Sequence, residues 1–220
     1  MKIRNKTSAL GIYFVLSAVS AQGIDQNLTG VFPKKGGGVM QRRSIKDLSA
    51  HEKAWIMKDT VSKPEGYLSV AVSKEYIGQI NNLKISSLGL NNSTGTNHET
   101  IMGLTFLGVK NEGANRKAYF FGKGSTADAM VTLWHVGADQ GSIVMFDEFI
   151  NQRINGSEAT LSLAYNLDSQ RCMWKLVMND NNDFYEAVLP DTCFNNKPSM
   201  PVAKVLTEFS LFMRFASDIK

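Results

Sequence analysis

A mainly β fold, a sandwich or an open barrel with one or two short helices in a single domain, is the architecture the sequence predicts. Three observations predict it. Residues 159–167, 171–179 and 185–193 each alternate apolar and polar side chains, or nearly so, which is the period of a half-buried strand. Most other apolar runs are short and separated by Asn, Gly and Asp, the residues of turns. Cys172 and Cys193, the two cysteines, bracket the last two alternating runs, where one bridge would staple neighbouring strands.

The start of the 220-residue chain reads as a cleavable signal peptide over residues 1–21. Lys2, Arg4 and Lys6 form a basic head, Ala9 to Val19 a short apolar stretch, and Val19-Ser20-Ala21 a small-residue cleavage signal. Cleavage is expected between Ala21 and Gln22. The apolar stretch is shorter than the about 20 residues a membrane-spanning helix needs. No cysteine near the cleavage site offers a lipid anchor. The compact basic head leans towards a bacterial host. Residues 22–45 read as a flexible, basic, Gly-rich segment containing Pro33-Lys34-Lys35-Gly36-Gly37-Gly38 and Arg42-Arg43. Residues 46–220 then form the globular domain.

Within that domain, 51–62 is a mixed segment around Trp55, and 66–73 alternates with Leu68, Val70 and Val72 on one side. Residues 77–90 are ambiguous, and 90–97 are a polar loop. Residues 100–109 and 116–123 read as a hairpin around Asn111-Glu112-Gly113-Ala114-Asn115. Ile101, Leu107, Tyr119 and Phe121 lie on one side of the pleat, and Met102, Leu104, Phe106 and Phe120 on the other. With both faces apolar, this hairpin is expected to be central and covered on both sides. Residues 125–136 read as a helix, capped by Ser125 or Thr126 and ended by Gly137. Residues 142–150 fit either type.

The register of 159–193 follows from opposing Cys172 to Cys193. Leu176 then faces Leu189, Met178 faces Ala187, and Asp180 faces Tyr185. One face of this hairpin is apolar, marred by Asp191, and the other carries Lys175, Asn179, Glu186 and Thr192. A turn around Ser169-Gln170 sets Leu167 against Cys172 and Leu163 against Leu176, giving a three-stranded antiparallel meander. Residues 201–220 fit a helix slightly better than a strand. Val202, Val205, Leu206, Phe209, Phe212 and Met213 follow helical spacing, with Ser199 and Pro201 as a start signal. Phe209 then faces the core and Leu211 does not.

Charge narrows the partners. Removing the three basic residues of 1–21 from the 24 lysines and arginines leaves 21 against 20 acidic residues, so no electrostatic footprint for nucleic acid remains. No later segment is apolar for long enough to be an integral membrane helix. Evenly spaced lipid-facing strands of an outer-membrane barrel are missing as well.

Chemistry is sparsely marked. GxSxG, HExxH and the full phosphate-loop spacing are absent, although Gly122-Lys123-Gly124-Ser125-Thr126 faintly resembles the last. No metal and no cofactor is expected. Weak catalytic candidates are His98, His135, Asp139 and Glu148. Asp147, Glu148 and Glu158 are possible paired carboxylates of a glycosidase, with solvated acids the plainer reading. Lys34, Lys35, Arg42 and Arg43 form a weak anion-binding candidate, with a solvated arm the plainer reading. Asn27, Asn91, Asn92 and Asn155 begin N-glycosylation patterns, a number expected by chance in so Asn- and Ser-rich a chain. The sequence therefore points to an exported, periplasmic or secreted β-rich binding protein without catalysis. Its partner would be a protein, glycan or envelope component. The alternative is a secreted hydrolase or toxin with a site assembled from distant His, Asp and Glu residues.

Overall fold

The computed structural model describes residues 39–57, 60–74, 77, 83–84, 90, 100–101, 103–112, 115–123, 126–135, 142–180, 183–195 and 197–218. The strands in chain order are β1 (Val39–Arg43), β2 (Thr60–Lys63), β3 (Tyr67–Ala71), β4 (Leu83–Lys84), β5 (Thr100–Ile101), β6 (Leu104–Asn111) and β7 (Arg116–Lys123). They continue with β8 (Thr126–His135), β9 (Ser142–Phe146), β10 (Gln152–Ile154), β11 (Ser157–Tyr165), β12 (Arg171–Asp180), β13 (Asp183–Phe194) and β14 (Lys197–Pro198). The helices are α1 (Ala50–Met57) and α2 (Val202–Asp218). The fold is mainly β, as the patterning predicts.

One sheet runs in the order β2-β3-β11-β12-β13-β8-β7-β6-β5, with β10 beside β11, β14 beside β13 and β4 beside β8. Neighbours are antiparallel except β3 and β11, which run parallel. The described path does not close into a barrel. A separate parallel pair joins β1 to β9. Helix α2 fills the core face of the sheet. Val205, Phe209, Phe212, Met213 and Ala216 form its buried stripe at helical spacing. Phe212 and Phe215 meet Phe121 of β7 at ring-centroid distances of 4.6 and 5.2 Å, and Phe215 meets Phe106 of β6 at 4.9 Å. Tyr67 of β3 meets Trp174 of β12 edge-on at 5.0 Å. These side chains belong to a single apolar cluster that includes the helix and reaches from β3 to β6.

The meander exists, but its register is two residues from the one the cysteines suggest. Leu176 faces Ala187, Met178 faces Tyr185 and Cys172 faces Asp191. On the other side, Tyr165 faces Cys172 and Leu161 faces Leu176. A shift of two returns every side chain to its own face, so the apolar pattern is blind to it. The Asp180–Asp183 pair closes the β12–β13 hairpin with two connecting residues, and Lys175 Nζ reaches Glu186 Oε1 diagonally at 3.0 Å. Cys172 and Cys193 are bonded on the diagonal, with Cα atoms 5.7 Å apart. That separation lies inside the range of about 4.4–6.8 Å that a disulfide tolerates. The loop spanned, 21 residues in sequence separation, corresponds to about 3 kcal/mol of chain-entropy stabilisation. Leu167, expected opposite Cys172, instead sits in the turn and is 75% exposed.

Residues 126–135 are strand β8, not the predicted helix. Ala127, Ala129, Met130 and Leu133 favour helix intrinsically, but β8 is paired on both sides, by β7 and β13, and that tertiary context overrides propensity. The 100–123 hairpin lies towards one end of the sheet, not at its centre. Both faces of β7 are nonetheless buried: Tyr119 and Phe121 join the main core, and Ala118 and Phe120 a second cluster. An irregularity between Phe106 and Gly108 flips the pleat of β6, so Leu107 lies with Phe120 while Phe106 and Val109 face the main core. A second irregularity falls at Gly122, where a Cβ atom would come within 2.0 Å of the Thr126 carbonyl oxygen. Only glycine fits there.

Local signals explain the smaller elements. Ser49 and Glu52 form a capping box for α1: the Ser49 amide donates to Glu52 Oε2 at 2.8 Å, and the Glu52 amide donates to Ser49 Oγ at 3.3 Å. The Ser49 hydroxyl, which donates to Glu52 Oε2 at 2.6 Å, and then the Ser49 amide hold the Glu52 carboxyl below its ordinary pKa. Asn155 and Gly156, with φ of 51° and 88°, make the tight turn between β10 and β11. The segment 142–150, open between helix and strand, is β9 followed by a 3-10 turn, Asp147–Phe149.

Burial separates two side chains of α2 for a direct test. Phe209 is fully buried and Leu211 is 46% exposed. Phe209→Ala should cost about 3–5 kcal/mol, whereas Leu211→Ala should stay within about 0.5 kcal/mol. Urea unfolding of the two variants checks this, and equal losses would show that the helix is seated on another face.

Candidate functional site

Three polar or exposed assemblies stand out, each fixed by a different part of the sheet. The first gathers around the 3-10 turns Ile45–Asp47 and Asp147–Phe149. Pairing of β1 with β9 carries Arg42 and Ser44 alongside the second turn. Arg42 Nε meets Asp147 Oδ1 at 2.8 Å, and Arg42 Nη1 meets Glu158 Oε2 at 2.9 Å. The Asp147 hydrogen bond and charge, then the Glu158 charge, raise the guanidinium pKa above its ordinary value. Glu148 accepts from the Ile45 amide at 2.8 Å and from Ser44 Oγ. These hydrogen bonds, that from Ile45 first, hold the Glu148 carboxyl below the ordinary carboxylate range. Leu48, Phe146 and Phe149 beside these turns pack with Leu68 of β3 as an apolar cluster.

This assembly brings together residues that the sequence put in separate roles. Asp147 and Glu158 do converge, but on a guanidinium and not across an open cleft. Arg42, a candidate for binding outside anions, is engaged by two carboxylates of its own chain. Glu148, a catalytic candidate, serves as a cap on a 3-10 turn. The segment expected to be loose up to residue 45 ends as strand β1, because β9 and these ion pairs hold it.

The second assembly is at the end of β8 and β13. His135 Nδ1 lies 2.6 Å from Asp183 Oδ1, and the two residues are direct cross-strand partners. The His135 amide donates to the Asn115 carbonyl at 2.9 Å. Asp180, opposite Asp183 in the hairpin, accepts from Ser157 Oγ at 3.1 Å. Two carboxylates that would repel each other across the strands thus have separate partners. The register of β8 against β13 supplies Asp183 as the partner of His135, a pairing visible only once the strands are aligned.

The third assembly is the disulfide end. Asp191 accepts from Trp174 Nε1 at 3.0 Å, from the Met200 amide at 3.0 Å and from Ser199 Oγ. The Cys193 amide donates to the Gln170 carbonyl at 2.7 Å, tying the β11–β12 turn to the end of β13. Leu167 and Phe194 project from this end, 75% and 62% exposed. Sequence reasoning missed both: Leu167 continues an alternating run that reads as core, and Phe194 lies just past the last run, on the face of Glu186 and Thr192.

His98, Asp139, Lys34 and Lys35, with most of the polar loop at 90–97, lie outside the described residues. Among the described residues, no group of three or more His, Cys, Asp or Glu side chains is placed to hold a metal ion. No helix among them is long and apolar enough to cross a membrane.

The Glu148 cap carries a pH signature. Its folded carboxyl titrates below the unfolded value of about 4.3. The stabilisation is therefore whole above that pH and is lost as pH falls through the folded pKa. Glu148→Gln should destabilise the protein slightly at neutral pH, by less than about 1 kcal/mol because the group is exposed, and lower its melting temperature accordingly. Melts from about pH 7 to pH 3 should show the gap between the two proteins closing. A gap constant across that range would show that the carboxylate charge is not what holds the turn.

Compared with known proteins, the chain matches no family model, no curated protein and no solved structure.

Proposed function

We propose that the chain is an exported β-rich interaction protein, working in the periplasm or after secretion, released by cleavage between Ala21 and Gln22. The observation that carries the reading is the Cys172–Cys193 disulfide, buried in the core where no other cysteine competes. Disulfides of this kind persist in oxidising compartments and are rare where thiols are kept reduced. The basic head, short apolar stretch and small-residue signal of residues 1–21 support the same address, and the head leans to a bacterial host. An interaction role fits two polar side chains considered for anion binding and for catalysis: Arg42 and Glu148 are spent on internal contacts. The partner class is a protein, glycan or envelope component.

A secreted hydrolase or toxin is the second reading, favoured by one contact. A carboxylate on His Nδ1, as Asp183 is placed on His135, orients an imidazole for general-base work.

Expression in an export-competent bacterial host tests both. Mass spectrometry should find a product beginning at Gln22, and thiol titration of the denatured, unreduced protein should find no free thiol. A product retaining residues 1–21, or one with two free thiols, overturns the export reading. Turnover of an ester, peptide or glycoside substrate that is lost in His135→Ala would replace the interaction role with the hydrolase.

A further inference from the structure

Leu167 and Phe194 are the two most exposed large apolar side chains among the described residues. Scattered apolar side chains are normal on a surface. These two are not scattered: both sit at turns on one end of the sheet. Leu167 lies between β11 and β12, and Phe194 ends β13, paired with Lys197 of β14. The disulfide and the Cys193–Gln170 hydrogen bond hold the two turns together. Little conformational freedom is left to lose when this end meets a partner, which lowers the entropic cost of association.

Exposed cations outnumber exposed carboxylates around these tips. Arg171, Lys197 and Lys74 are exposed, and none of them has an ion-pair partner among the described residues. Lys74 follows Val72, whose carbonyl accepts from the Asn166 side chain at 2.7 Å in the same turn as Leu167. Asp168 is the opposing exposed carboxylate. At the far end of the same strands the charges are engaged with one another: Glu158 meets Arg42 and Arg153, and Asp183 meets His135. The disulfide end of the sheet therefore presents apolar tips among cations that no ion pair engages.

We propose that the disulfide end is a docking edge for the surface of an anionic phospholipid bilayer. Apolar tips ringed by Lys and Arg match such a surface. The hydrocarbon side chains enter the boundary between headgroups and acyl chains, and the cations lie over the lipid phosphates. This names the partner within the exported-interaction reading and rests on it for the compartment. The contact is peripheral and reversible, since two side chains and three cations make a weak anchor.

The test uses the oxidised exported protein and sedimentation with phosphatidylcholine vesicles, with and without phosphatidylglycerol. Binding is expected only with phosphatidylglycerol, and it should weaken as salt screens the cations. Leu167→Ser with Phe194→Ser should reduce binding at least tenfold, and Arg171→Gln or Lys197→Gln about fivefold each, a factor equivalent to about 1 kcal/mol per cation. Melting temperatures of the variants are measured alongside, so that a misfolded variant is not counted. Loss of binding in well-folded variants supports the proposal. Absence of phosphatidylglycerol-dependent binding overturns it, as does binding unchanged in the double serine variant. A concentration-dependent dimer abolished by the serine pair would assign the tips to a second copy and also overturn it. A product that starts at Gln22 yet ignores vesicles defeats the bilayer proposal and leaves the export reading standing.

Discussion

Lys175 and Glu186 meet at 3.0 Å across β12 and β13, with 12% of each side chain exposed. A pair so shielded contributes little net stability, because desolvating two charges offsets their attraction. Separating them is costly, since each would then be a largely buried charge without its counterpart. The pair therefore acts as a registry device. Together with the short Asp180–Asp183 closure it selects one alignment of the hairpin from the alternatives that the apolar pattern allows. Much else follows from that alignment. It sets Cys172 diagonal to Cys193 and Asp191 beside Cys172.

Asp191 turns the same alignment into a seat for helix α2. Its carboxylate lies where the sequence shows a flaw in an apolar face, yet the site needs an acceptor. The Trp174 indole is buried at full depth and must donate to something, and Asp191 accepts that bond. The same group takes the Met200 amide and the Ser199 hydroxyl, just before the helix begins. A negative charge there also suits the positive end of the helix dipole. Trp174, β13 and the start of α2 are thus joined through one side chain.

What the sequence disclosed depended on whether the information was periodic. The alternation of 159–193 gave strands and faces, and the spacing of Val205, Phe209 and Phe212 gave the buried stripe of α2. Register was hidden, because a shift of two preserves every face. Strand β8 was hidden behind its alanines, leucine and methionine, whose helical preference is outweighed by neighbours remote in sequence. The candidate sites fared similarly. His135 was visible as a residue type, but its partner Asp183 is defined by strand pairing. Arg42 was visible as a charge, but its engagement by Asp147 and Glu158 depends on the parallel pairing of β1 with β9. Leu167 continues apolar alternation past the end of the covered surface, where the pattern carries no mark of the boundary, and Phe194 falls out of phase with the apolar face of β13.

The parallel contacts bear on the order in which this chain assembles. The Asn166–Val72 bond beside β3 and β11 joins residues 94 positions apart, and the Arg42–Asp147 bond beside β1 and β9 joins residues 105 apart. The β11–β12–β13 meander needs only short loops. Loop-closure entropy makes distant pairings late and slow, while adjacent hairpins close early. The meander is therefore the natural nucleus, and β3 with β1 are added to it afterwards. Oxidation of Cys172 and Cys193 belongs to the early stage, because both thiols lie within the nucleus. Until α2 arrives, the aromatic side of that nucleus stays open to water, an interval in which a holding chaperone would have an obvious surface to grip.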